Sequence, residues 1–256
     1  MGMIRLADYC CQGGEKVIDR SCFSPGDLVI SREGNRELIF SPLGNRPCSP
    51  RLALAGITPG RQSVKFAKLL RHTDVEIAAR RSAFAGAHNV IKKLLTAHGF
   101  LKALQIDCPA DVNESDNIFT TSLVKCCLKV DGRYNYAAPD LLASKAALHC
   151  LVNRFVSDIE KLDTIRHVVI FGEPGWNAVN SVKYQNICIK DYLERRGIRV
   201  LNMPHFAQNF QQRAIYLLSP SEEERYFRLH PKHRSYWSKA AKMRQSIVEE
   251  VGVLGA

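Results

Sequence analysis

Four short apolar runs constrain this chain most. They are "RLALAG" (51–56), "NIFTTSLVK" (117–125), "HVVIF" (167–171) and "IRVLNM" (198–203). Each reads as a buried strand, and each stops abruptly in a polar or glycine-containing stretch: "GITPGRQS", "SLVKCC", "GEPGWN" and "PHFAQN". Helical patterns lie between them. Residues 64–81 form one, and "HNVIKKLLTAHGFLKAL" carries Val90, Ile91, Leu94 and Leu95 at helical spacing up to Gly99. "PDLLASKAALHCLVNRFVSDIEKL" opens with Pro139, which suits a first turn, and repeats Leu148, Val152, Phe155, Ile159 and Leu162 as one stripe. A helix over 178–196 is expected to end at Gly197. Strands alternating with helices predict a three-layer α/β/α sandwich around a mostly parallel central sheet. Such sheets bind ligands beyond the carboxyl ends of their strands, where these four loops fall.

The flanks differ from this pattern. Residues 1–50 read as an irregular extension packed on the core. They contain one hairpin, "DLVISREGNRELIF", and the turn signals "SPGD", "PLGN" and "PCSP". Residues 51–256 read as the α/β domain, closed by a charged helical stretch from 221 to 251 that "HPKHRSYW" interrupts.

Composition narrows the function. The apolar runs are too short to span a bilayer, and the first residues lack the apolar core of a signal peptide, so a cytoplasmic, membrane-free monomer is expected. The chain has 36 Lys plus Arg against 25 Asp plus Glu, a net charge of +11, which favours a polyanionic partner. Nine Cys without an export signal predict reduced thiols, and the absence of any C-x-x-C argues against a zinc ribbon.

Landmarks in order then carry a resemblance. "GITPGRQ", "SAFAGAHNVIKKLLTAHGF", "TTSLVKC" with a long helix bearing Cys150, "HVVIFGEPGWNAV" and "PHFAQN" together resemble the uracil-DNA glycosylase superfamily, closest to its prokaryotic branches. The resemblance covers residues 51–209. It implies a monofunctional DNA glycosylase that flips a base out of DNA, hydrolyses its N-glycosidic bond and leaves an abasic site.

The resemblance assigns roles residue by residue. Ile57 and Thr58 stand where the family carries the acid or amide that orients water, and a Thr hydroxyl is a poor base, so Thr58 is expected to position water at most. His88, Asn89 and Asp131 are the alternative candidates for that task. Phe84 matches the base-stacking Phe. Ser122 replaces an Asn that reads the base edge, which predicts a roomier pocket and a modified pyrimidine, such as a glucosylated hydroxymethylcytosine of phage DNA, in a defence role. A uracil-excising repair enzyme is the alternative substrate reading. His205 matches the donor to the departing base, and Asn209 its neighbour on the base-binding loop. The "HFA" following Pro204 departs from the family's "HPS", which leaves the register open. Gly60, Arg61, Gln62 and Lys65 would meet the DNA backbone.

The reaction needs no cofactor. The resemblance nevertheless implies an iron–sulfur cluster on four Cys, a [4Fe–4S] cluster, as an alternative to ordinary thiols. Cys126 and Cys150 match two ligand positions, and Cys10 and Cys22, with Cys11, are irregular candidates for the others. Two basic stretches would contact phosphate: Lys65, Lys68, Arg71, Arg80, Arg81, Lys92 and Lys93, and then Arg225, Arg228, Lys232, His233, Arg234, Tyr236, Trp237, Lys239, Lys242 and Arg244. The competing readings are a DNA-binding protein that has lost catalysis and an α/β enzyme acting on free nucleosides. The second leaves the +11 without a purpose.

Overall fold

The structure, a computed structural model, describes residues 3–11, 13–134, 138–206 and 220–254. The chain begins with an antiparallel ribbon, β1 (Met3–Arg5) with β2 (Val17–Asp19), and the hairpin β3 (Val29–Glu33) and β4 (Arg36–Ile39). β5 (Leu52–Gly56) leads to α1 (Gln62–Leu70), α2 (Val75–Ser82), α3 (His88–Ala97) and α4 (Phe100–Ala103). β6 (Ile118–Ser122), β7 (Cys127–Val130) and β8 (Arg133–Tyr134) precede α5 (Ala138–Ala143), α6 (Lys145–Cys150) and α7 (Val156–Glu160). β9 (His167–Phe171) is followed by α8 (Glu173–Ser181), the ribbon β10 (Lys183–Tyr184) and β11 (Ile187–Cys188), and α9 (Ile189–Arg195). β12 (Arg199–Met203), α10 (Pro220–Leu229) and α11 (Arg234–Leu254) complete the described chain.

The four apolar runs form one fully parallel sheet in the order β12–β9–β5–β6. Leu52 pairs with both Ile118 and His167, and Arg199 pairs with His167, so the strands start level. Their carboxyl ends, at Gly56, Ser122, Phe171 and Met203, therefore share one edge. Residues alternate between the two sheet faces. Ala53, Ala55, Phe119, Val168 and Ile170 pack under α1, α2 and α5–α9. Leu52, Leu54, Ile118, Val169 and Phe171 pack under α3, α4 and α11 through Ile91, Leu94, Phe100, Ile247 and Val251. The molecule is a three-layer α/β/α sandwich. From β5 the chain steps to β6, then crosses back past β5 to β9, so the order reverses beside β5. The carboxyl end of β5 is thus a switch point of the kind beside which open α/β sheets form their ligand crevice.

A second, antiparallel sheet, β3–β4–β7–β8, ties the first fifty residues to the core. Here the structure differs from the sequence expectation, which ran one strand through Lys125. The backbone leaves β6 after Ser122, and "CLKV" turns back to pair with Arg36–Ile39. "GEPGWN" is not a loop but the first turn of α8. Gly172, at φ +92, sits before it, and Pro174 occupies the turn where a missing N–H costs nothing. The expected helix over 178–196 is split by the β10–β11 ribbon, whose turn puts Gln185 and Asn186 at positive φ.

The long helix after Pro139 is broken too. Ser144 caps α6 by accepting from the Ala147 N–H, and the Glu33 carboxylate accepts from the Lys145 and Ala146 N–H groups. A wide π turn over Leu151–Phe155 adds a residue to the winding. It rotates the buried stripe, so that Ala147, Leu151, Phe155 and Ile159 are buried while Leu148 and Val152 are half-exposed. Among the described residues, no helix is long and apolar enough to cross a membrane.

Candidate functional site

Gly56 ends β5 in ordinary contact distance of two side chains that sequence analysis singled out. A Cβ there would stand 3.5 Å from Phe84 Cε1 and 3.7 Å from Ser122 Oγ. The strand end, the Phe84 ring and the Ser122 hydroxyl therefore meet at one point. Phe84 holds φ +51, the left-handed region that a bulky side chain normally avoids. Its N–H donates to Gln62 Oε1 at 3.2 Å, and the carbonyl of Ala83 accepts from Asn113 Nδ2 at 2.7 Å. These two grips hold the strained backbone in place.

Phe84 is nevertheless 4% exposed. Its ring meets Phe171 and Phe206 edge-on, with centroids 5.9 and 5.1 Å away. His205 stacks on Phe206 at 4.4 Å and lies against Gly172, where a Cβ would be 3.2 Å from His205 Cβ. The ends of β5, β9 and β12 thus bring Phe84, Phe171, His205 and Phe206 together.

Thr58 occupies a different place from the one expected. Its buried hydroxyl donates to the Cys126 carbonyl at 2.9 Å and accepts from the Leu128 N–H at 3.1 Å. Both functions of the oxygen are engaged by backbone, so it holds a segment rather than a water. Ile57 is buried beneath the loop, close to Gly175. Gly60, at φ +55, turns the chain into α1, with its carbonyl accepting from the Ser63 hydroxyl at 2.7 Å. Arg61 and Lys65 project to the surface, whereas Gln62 is directed inward to Phe84 rather than to a backbone-contacting position.

Asp131 lies away from this crevice. It sits at φ +51 in the β7–β8 turn, where its carboxylate accepts from Asn35 Nδ2 at 2.8 Å. Three residue steps separate it from the nearer Thr58 contact, Leu128, a span of about 10 Å at strand rise. Asn89 is exposed on the first turn of α3. His88, beside it, has a partner that sequence reasoning missed: Asp111 Oδ1 lies 3.2 Å from His88 Nδ1. Burial pushes the His88 pKa down and Asp111 opposes that shift, so the ring is held in its neutral form. Asp111 is 23 positions away in sequence with no motif around it, so no local signal marked it. Asn209 lies outside the described residues, as do the side chains of His233, Tyr236, Trp237 and Lys239.

The cysteines gather into a group on the other side of the same segment. Cys10 Sγ lies 3.3 Å from Cys126 Sγ, and both are buried. Cys11 interacts with the thiols of both Cys10 and Cys150, and Cys150 Sγ accepts from the Lys125 N–H at 3.3 Å. The Cys10 and Cys150 thiols are pushed up. Cys11, at the surface, is pushed down to about 3 by its two thiol neighbours and then by His149 and Arg154. Cys22 is not in this group. It is exposed beside Asp19, and Cys11 takes the place expected for it.

Among the described residues, no three His, Cys, Asp or Glu side chains are disposed to chelate a single metal ion. The thiols that this group brings together are Cys10, Cys11, Cys126 and Cys150.

A separate cleft of about 660 Å³ lies between residues 42–47, α2 and α7. On its floor Asp158 pairs with Lys125 at 2.6 Å and Arg154 at 3.3 Å, and none of Gly56, Phe84, Ser122 or His205 lines it. Arg46 and Glu76 form a further ion pair in it, whereas the strained and aromatic groups lie at the end of β5. Of the first basic stretch, Lys65, Lys68, Arg80, Arg81 and Lys93 are exposed. Arg71 bonds the Phe23 carbonyl, and Lys92 bonds that of Cys108. Searches with this chain match no protein-family model and no curated protein.

Proposed function

We propose that this protein is a monofunctional DNA glycosylase working at the carboxyl end of β5. The observation that carries the reading is the meeting of the Gly56 backbone, the strained Phe84 and the Ser122 hydroxyl at the point where the strand order reverses. An extrahelical pyrimidine would stack on Phe84, and Ser122 would bond its edge. As the glycosidic bond breaks, negative charge develops on the base and positive charge on the sugar. His205 would donate to the base oxygen where that charge appears. His88, which burial keeps neutral and which has Asp111 3.2 Å from its Nδ1, would be better suited than Thr58 to take a proton from the attacking water. Arg61 and Lys65 would bind phosphate.

Cys10, Cys11, Cys126 and Cys150 would hold a [4Fe–4S] cluster. Its contribution would be to pin the N-terminal extension to the segment after β6, and the hydrolysis itself runs on side chains. Ser122 is too short for a bidentate contact to uracil, which favours a bulkier modified pyrimidine such as glucosylated hydroxymethylcytosine, in defence against phage.

The test is abasic-site formation on DNAs containing uracil, hypoxanthine, hydroxymethylcytosine or glucosylated hydroxymethylcytosine, with His205→Ala as control. Release from the glucosylated DNA alone, lost in the control, supports the reading. Release from uracil makes it an ordinary repair enzyme. A second reading, DNA binding without catalysis, is favoured by one observation: the loop "GITPG" has no carboxylate, and its hydroxyl is engaged by backbone. Salt-sensitive DNA binding with no product from any substrate would establish it.

A further inference from the structure

Four hydrogen bonds lace the end of β5 to the segment that follows β6. The Leu123 N–H donates to the Gly56 carbonyl at 2.8 Å, and the Val124 N–H to the Ile57 carbonyl at 3.0 Å. Thr58 adds the two described above, to Cys126 and Leu128. The other side of this hexapeptide carries the thiols, through the Cys10–Cys126 contact and the Lys125 N–H to Cys150 Sγ bond. One short stretch of backbone therefore has the crevice loop on one side and the thiol group on the other.

We propose that Thr58 is a positioning residue that makes the loop over residues 56–60 and the Cys10/Cys11/Cys126/Cys150 group a single cooperative unit, so that whatever ligates or modifies the thiols is felt at the crevice. The Leu123 and Val124 bonds continue the β5–β6 pairing and hold only the start of the loop. Thr58 reaches the far half, on both sides of Cys127, and it spans loop and thiol segment together with the Cys127 thiol, which meets Gly60 and Ser63. Its hydroxyl is buried, so neither bond is readily replaced by water. Coupling of this kind is reciprocal: loosening either end loosens the other by the same factor. The importance of the loop rests on the glycosylase reading, but the coupling does not, and it can be measured without DNA.

The experiment compares the full-length protein with Thr58→Val, which keeps the shape and removes both bonds, and Thr58→Ser, which keeps the hydroxyl. Two readouts are taken under native conditions: amide hydrogen exchange over residues 57–62, and iodoacetamide labelling of Cys10, Cys126 and Cys150 by mass spectrometry. Cys108, buried in the opposite helical layer, is the internal reference for global opening. Thr58→Val is expected to speed both loop exchange and thiol labelling about tenfold or more, from two lost buried bonds, with Cys108 unchanged. Thr58→Ser is expected to match the wild type. Faster loop exchange with unchanged thiol labelling overturns the proposal, as does no change in either. If Cys108 labels as fast as the others, Thr58→Val has opened globally. Cys126→Ala then decides from the opposite end: it must speed exchange over residues 57–62 with Cys108 still protected, and unchanged exchange there overturns the proposal.

Discussion

Phe206 meets Phe84 edge-on, with ring centroids 5.1 Å apart and planes at 83°. The contact stores the aromatic face that a flipped base would use. Phe206 and His205 sit side by side on the stretch after β12, so one of the rings that cover Phe84 adjoins the donor proposed for the leaving base.

Replacing Phe84 with Leu keeps apolar bulk and removes the face. Base–aromatic stacking is worth about 1–3 kcal/mol, so single-turnover excision should fall roughly five- to 150-fold. Thermal unfolding within a few degrees of wild type would show that the loss is not one of folding. An excision rate equal to wild type would remove Phe84 from the site.

His98 is 3% exposed, and burial pushes its pKa from 6.5 to about 4, with Arg244 adding to the shift. The unfolded chain binds this proton near 6.5 and the folded chain near 4. The stabilising effect is thus complete above 6.5 and is lost as pH falls toward 4, to a total on the order of 3 kcal/mol. His88 and His167 shift in the same direction, also first through burial. Urea unfolding at pH 7 and pH 4.5 should show the loss, and His98→Gln should flatten it. A wild-type stability independent of pH over that interval would contradict this.

Cys11 and Cys22 separate the cluster assignment from sequence spacing. Protein purified without oxygen should carry visible absorbance and iron. Cys11→Ser and Cys150→Ser should abolish both, and Cys22→Ser should leave them intact. Colourless wild-type protein without iron would reduce the group to packed thiols.

Arg61 and Lys65 stand exposed at the start of α1. If both touch phosphate, the double Ala variant should bind all DNA sequences more weakly and to a similar degree. The slope of log affinity against log salt should drop by about two. An unchanged slope would move the DNA path to the second basic stretch.

The parallel sheet could be read from the sequence because each strand is a local apolar run with its own stop signal. The β3–β4 hairpin was readable for the same reason, with its turn at Gly34 and Asn35. β7 was not, since "CLKV" becomes a strand through pairing with residues about 90 positions earlier. The site divides in the same way. Gly56, Phe84 and His205 lie in contiguous motifs. Asp111 and Asn113 act across space on partners that no spacing connects, and the role of Thr58 is set by the backbone of Cys126 and Leu128. The start of α8 was missed because Gly and Pro signal both a loop and a helix N-terminus.

Asn45 lies along the outer edge of β6. Its N–H donates to the Thr120 carbonyl, its amide donates to Ile118, and its oxygen accepts from Thr120. Gly44 fits there because a Cβ would come within 2.4 Å of the Thr120 oxygen. An uncovered edge strand recruits strands from other molecules. The first fifty residues therefore act as a guard rail for the sheet, and a version of the protein trimmed to its α/β core would expose a sticky edge as well as lose Cys10 and Cys11. Because the same segment also places Leu6, Leu28 and Phe40 in the core, deleting it should cost stability as well as solubility.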